Sequence, residues 1–224
     1  MFEQLTLTVG ALIGLTVLIS YQAFSNHDLR AQLMFRPTAI QNRGEYYRFF
    51  THGFIHANPM HLFFNMWALL IFGPIAEQVF VIRLFDGNVL VGRIAFIAFY
   101  LAAIAAASSI DYLRHRDNYH YAALGASGAV AALIWPYIMY APWNWFIFPP
   151  LPAILIGIGY IVYSHYMDKR GVGNIGHNAH LWGAVFGLVA YIVLLIALDD
   201  APPGLRLLDQ FWFQLQHPQG PGFL

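Results

Sequence analysis

Gly125-Ala126-Ser127-Gly128 stands at the mouth of an apolar stretch long enough to enter a bilayer, and His180 opens a later one. A serine hydroxyl is a weak nucleophile until a base takes its proton, and an imidazole is the commonest such base. Ser127 and His180 are therefore candidates for the nucleophile and general base of an acyl transfer carried out beside lipid. His61 and Asn65 lie four residues apart, so they share one helix face and could donate hydrogen bonds to the same oxyanion. Ser127 also sits at a helix start, where unpaired N–H groups and the positive end of the dipole favour an anion. Gly125 lets the chain enter that turn without a Cβ in the way.

These residues need helices to hold them. A spanning helix takes about 20 mostly apolar residues, and six stretches read that way: 5–24, 60–82, 89–110, 124–140, 150–167 and 179–198. Alternate spans point in opposite directions, so the second, fourth and sixth start on one membrane face. Their opening turns carry His61 and Asn65, Ser127, and His180, which topology alone brings to one side. Gly183 and Gly187 follow His180 at i+3 and i+7, and Gly128 and Ala132 follow Ser127 at i+1 and i+5. This small-residue spacing lets two helix backbones approach closely in lipid. Polar groups inside a membrane are costly and mark function by default.

Composition supports a lipid setting. The chain has 224 residues, 59% hydrophobic and 10% charged, with net charge zero; a soluble domain carries about a quarter charged residues. The balance of charge leaves no basic face for nucleic acid, and the absence of cysteine excludes disulfides, thiolate nucleophiles and cysteine metal sites. The first span lacks a positive leading segment and a small-residue cleavage site, so it reads as a retained helix. The first connection, about 25–59, mixes Arg30, Arg36, Arg43 and Arg48 with Phe35, Tyr46, Tyr47, Phe49 and Phe50, the composition of a segment at headgroup depth. Asp111, Asp117 and Asp168 read as loop residues, so no carboxylate completes a triad and a dyad is the simpler reading. The connection over 168–178 is glycine-dense and free to move, with Gly171, Gly173 and Gly176. Pro136 is a candidate kink in the fourth span. The tail, 199–224, includes a short amphipathic piece over 205–215 with Trp212, suited to the membrane surface.

At these residues the chain resembles the rhomboid intramembrane serine proteases of bacterial type. The resemblance rests on Gly125-Ala126-Ser127-Gly128, on His61-Leu-Phe-Phe-Asn65, and on Ala179-His180-Leu-Trp-Gly183-Ala-Val-Phe-Gly187. Tyr47-Arg48, Gly73-Pro-Ile-Ala-Glu77 and His56 add to it. It implies an all-α polytopic bundle of six transmembrane helices over 1–198 with a long interfacial first loop. It implies Ser127 as nucleophile, His180 as base, and the Ser127 N–H, His61 and Asn65 as oxyanion stabilisers. His56, Gly125, Gly128, Gly183 and Gly187 would support the site, and Arg48 and Glu77 would tether loop and helix. Single-span membrane proteins would be the substrates, with the fifth helix and the loop after it as gate and cap, and no cofactor or metal. The membrane would be a bacterial cell membrane with the site on its extracytoplasmic side.

Two features depart from that pattern. The family tyrosine four residues after the serine, which stacks on the histidine, is Ala131 here. Arg30, Arg36, Arg43, Arg48, Arg114, Arg116, Lys169 and Arg170 lie on the site's side, against Arg83, Arg93 and Arg206 on the other, a bias that by itself places the site in the cytoplasm. Rival readings are a catalytically silent relative that binds membrane clients, and a small transporter. The first keeps no reason to retain both Ser127 and His180, and the second predicts inverted repeats that are absent. The histidines at 52, 56, 61, 177 and 180 show no His-Glu-x-x-His pattern for zinc.

Overall fold

The computed structural model describes residues 6–146, 150–170 and 176–218, without the side chains of 169, 170 and 177. Its elements are helices: α1 (Leu7–Ser25), α2 (His27–Leu33), α3 (Pro37–Arg43), α4 (Arg48–Thr51), α5 (Pro59–Val79), α6 (Val89–His115), α7 (Ser127–Tyr140), α8 (Ala153–Arg170), α9 (His177–Leu198) and α10 (Leu207–Gln216). A 3₁₀ turn follows α4 at His52–Phe54, and α5 runs into a π-helical turn at Phe80–Leu84. The all-α class expected from the sequence is the class observed.

Among the described residues, four helical stretches are long and apolar enough to cross a membrane: Leu7–Ser25, Pro59–Leu84, Val89–His115 and Asn178–Leu198. The other two expected spans exist as helices but fall short of that standard. α7 has only 14 residues, a rise of about 21 Å against a hydrocarbon core of about 30 Å. α8 carries Asp168, Lys169 and Arg170 in its last turn.

α7 is the axis of the bundle. Every residue from Gly128 to Met139 is buried, which is what a helix apolar on all sides requires. α5, α6, α8, α9 and α10 all pack against it. Pro136 lies inside α7 and Pro74 inside α5, and both helices continue past them. α1 leans on α5, where a Cβ at Gly73 would come within 2.9 Å of Val9.

The first connection is ordered rather than open. It folds as α2, α3, α4 and the 3₁₀ turn, a series the aromatic and basic composition did not reveal. Pro at the first position and Gly44 in the left-handed region (φ 69°) bound α3, the usual start and stop signals. Phe35 pairs with Ala123 through two backbone hydrogen bonds, which ties this segment to the strand-like approach to Ser127. α6 extends to His115, so Asp111 is helical and not in a loop; Asp168 likewise belongs to α8. The glycines at 171 and 173 lie outside the described residues; Gly176 caps α9.

Candidate active site

Ser127 is the first residue of α7. The turn before it depends on Gly125, whose φ of +119° is a conformation that L side chains rarely adopt. Space forbids a side chain there as well, since a Cβ at Gly125 would lie 2.7 Å from His61 Cε1 and 3.0 Å from His61 Nε2. The Gly125 N–H donates to the His52 carbonyl at 2.9 Å, so the first loop holds the turn from one side.

His56 holds it from another. Its Nε2 accepts from the Ala126 N–H at 3.4 Å, and its Nδ1 lies 3.0 Å from Ser20 Oγ on α1. Ser20 Oγ in turn donates to the Phe54 carbonyl at 3.0 Å. The bonding is self-consistent only for a neutral ring with its proton on Nδ1. Burial, with a smaller push from His61, lowers the His56 pKa to about 3, and burial lowers that of His52 to about 4. Both rings are neutral in the folded protein at ordinary pH.

His61 packs edge-on against His56 with ring centroids 5.0 Å apart. The Ala57 N–H donates a long bond, 3.5 Å, to His61 Nδ1. Nε2 is therefore the nitrogen left to carry a proton, beside Gly125. Asn65 is buried, and its Nδ2 donates to the His61 carbonyl at 2.8 Å. That bond turns the amide back on its own helix and leaves its second N–H for another acceptor.

His180 lies in the first turn of α9, its N–H donating to the Gly176 carbonyl at 3.1 Å. α7 and α9 are in backbone contact beside it. A Cβ at Gly183 would fall 2.6 Å from the Gly128 carbonyl carbon and 2.7 Å from Gly128 Cα. One at Gly128 would fall 3.2 Å from the Ala179 carbonyl oxygen, and one at Gly187 would fall 2.6 Å from the Ala132 carbonyl oxygen. The segments Ser127-Gly128 and Ala179-His180 thus abut. Trp135 closes the seam by donating Nε1–H to the Ala184 carbonyl at 2.7 Å.

The remaining tethers lie outside this recess. Arg48 is 4% exposed; its Nη1 donates to the Ala31 and Met34 carbonyls at 2.9 and 2.7 Å and its Nε to Glu45 at 2.5 Å. Glu77 accepts from Thr8 Oγ1 at 3.0 Å and Arg93 Nε at 2.8 Å, joining α1, α5 and α6. Its partners are side chains on two neighbouring helices.

Several contributors were not legible in the sequence. Tyr160 of α8 stacks on the His180 ring, with centroids 5.8 Å apart and planes 19° apart. Asn178 donates Nδ2–H to Asp111 at 2.5 Å and accepts from Arg114 at 2.9 Å, while Arg114 also pairs with Asp168 at 3.0 Å. Ser20 had no motif to mark it. Among the described residues no three His, Cys, Asp or Glu gather in a metal-binding group.

The Rhomboid domain family model matches residues 43–197, a stretch that contains His61, Asn65, Ser127 and His180. The chain is 31% identical over 184 residues to RHOMBOID-like protein 12, mitochondrial, of Arabidopsis thaliana. The match covers 78% of this chain and 54% of that protein, so the chain spans about half the length of the curated relative it matches.

Proposed function

This chain belongs to the rhomboid family, and on that premise we propose that it is a multi-pass intramembrane serine endopeptidase that cuts membrane-protein substrates in or near their membrane segments. The observation that carries this reading is the seam at Gly128 and Gly183, which sets the turn of Ser127 against the turn of His180. His180 takes the Ser127 proton as Oγ attacks the scissile carbonyl. The oxyanion that forms lies beside the Ser127 N–H, His61 Nε2–H and the second Asn65 N–H. His180 then gives its proton to the leaving amine as the C–N bond breaks. Water repeats the sequence on the acyl-enzyme and restores the serine. No cofactor enters these steps.

A central helix too short to cross by itself supports the reading. α7, ringed by longer helices, lets its polar N-terminus lie in a recess where water reaches Ser127. α8 serves as the fifth crossing segment and as gate, and the loop after it, which lies outside the described residues, as cap. We place the site on the extracytoplasmic face of a bacterial cell membrane; the relative's printed name places that protein in mitochondria. The arginines of the first loop, several of them on α2, α3 and α4, belong to a folded interfacial element and count little toward orientation.

The test is direct. The full chain, reconstituted with a single-span substrate whose helix is destabilised, is expected to cleave it. Ser127→Ala and His180→Ala are expected to lose cleavage, and a fluorophosphonate is expected to label Ser127 alone. Cleavage that persists in Ser127→Ala overturns the nucleophile. The chain has no cysteine, so single cysteines placed in the first and fifth loops report the membrane face by accessibility.

A further inference from the structure

The residues that α7 turns toward α9 along the seam include Gly128 and Ala132, small enough to let the backbones touch. A flat brace for the His180 ring comes from another helix. Tyr160 of α8 lies over the His180 ring in an offset, nearly parallel stack, a favoured arrangement for two planar rings.

The seat of α8 is itself fixed one turn earlier. A Cβ at Gly157 would collide with the Ile138 side chain of α7 and lie 3.6 Å from Trp135 Cη2. Trp135 bonds in turn to the Ala184 carbonyl, one turn beyond His180. α8 therefore touches α7 at Gly157 and α9 at Tyr160, and α7 touches α9 at Trp135. The contacts close a ring of three helices around the base.

We infer that Tyr160 is a positioning residue for His180, and that the alignment of the base depends on where α8 sits. The inference rests on the protease reading for its consequence, but the stack itself does not. When α8 lies against α7 and α9, the imidazole is braced; when α8 swings outward, the brace leaves with it. Base and gate are then one mechanical unit.

The experiment uses the full chain in nanodiscs with ¹³Cε1-labelled histidine, the His180 signal being assigned by its loss in His180→Gln. The ring current of Tyr160 is expected to hold the His180 Hε1 resonance upfield. Tyr160→Phe is expected to keep that shift and Tyr160→Leu to lose it. Fluorophosphonate labelling of Ser127 is expected to slow roughly three- to tenfold in Tyr160→Leu and not in Tyr160→Phe, the span a single aromatic pair is worth. Substrate cleavage is expected to lose kcat with KM unchanged. Gly157→Leu, too bulky for the Ile138 side chain alone to make room beside Trp135 and leaving Tyr160 intact, is expected to move the same resonance the same way.

A His180 signal that stays in place in Tyr160→Leu overturns the positioning role, whatever labelling does. A signal that stays in place in Gly157→Leu overturns the dependence on α8. If the wild type neither labels nor cleaves while Tyr160→Leu still moves the signal, the stack stands and the protease reading falls.

Discussion

At the scale of single residues, the site is built from neutral polar groups whose protons are assigned by their neighbours. His61 and Asn65 share a helix face, but they are not equivalent. The His61 ring lies against Gly125 through Cε1 and Nε2, whereas one Asn65 N–H is already committed to the His61 carbonyl. His61→Ala is therefore expected to cost about 10²–10³ in kcat, the usual range for a lost oxyanion donor, and Asn65→Ala less, with both variants melting near wild type; an Asn65→Ala protein that unfolds recasts Asn65 as structural. His56 acts differently, by holding Ala126 and Ser20 in place. Its folded pKa of about 3 lies below the ordinary value of 6.5, so between these values the unfolded chain binds more protons. The stability His56 contributes is full above pH 6.5 and is lost as pH falls toward 3; His52, at about 4, adds to the same slope. The melting temperature in detergent is expected to drop as pH is lowered from 7 to 4, and His56→Gln is expected to flatten that drop. A wild-type melting temperature that holds steady over this range contradicts the assignment.

At the scale of elements, what the sequence made legible was periodicity and spacing. The helices appear where apolar runs predicted them, because a segment in lipid must satisfy its own backbone and a helix does so locally. The small residues beside Ser127 and His180 were readable for the same reason: only close backbone approach explains glycines at that spacing in two helices. The exact ends were less readable, as α6 shows by running past Asp111 to His115. Partners across space were not readable at all. Tyr160 follows Gly157 and Gly159 in an apolar helix and looks in sequence like one more interfacial aromatic; only the packing of α8 sets it over His180. Likewise, no pattern linked Asn178 to Asp111, or disclosed that the first loop folds as three short helices. The α7–α9 seam gives a clean prediction at this scale. Gly183→Ala puts a methyl group where the Gly128 backbone already sits, so it is expected to destabilise by about 1–3 kcal/mol, as overpacking does, and to slow Ser127 labelling. Val189→Ala, at an exposed position on the same helix, is the control and is expected to do neither.

At the scale of the whole molecule, both ends of the bundle carry ion pairs, but they tie different helices. The end with the recess is joined by glycine seams, ring stacks, neutral hydrogen bonds and the partly exposed Arg114–Asp168 pair between α6 and α8. The opposite end is joined by buried carboxylates. Glu77 is 1% exposed and ties α5 to Thr8 of α1 and Arg93 of α6, while Asp199 accepts from the Leu207 N–H at 2.6 Å and from Arg83 at 3.4 Å, docking α10. A bundle that must let one helix move at one end needs its other helices fixed at the far end, and Glu77 fixes three of them. Arg93→Met leaves a buried carboxylate without its cation, a change that costs up to roughly 3–5 kcal/mol when the pair is fully buried. Arg93 is about a third exposed, so the loss is expected toward or below the lower figure. Glu77→Gln in the same background removes the stranded charge while keeping an acceptor for Thr8, and so is expected to recover part of the loss. A thermal-melt cycle over the two single variants and the double variant reads this coupling directly. If the double variant is destabilised by the sum of the singles, the three helices are not held through Glu77. Fluorophosphonate labelling at a temperature where all four proteins stay folded separates the two ends. Rates there are expected to change less than twofold, since Glu77 and Arg93 lie at the end of the bundle away from the recess that holds the chemistry.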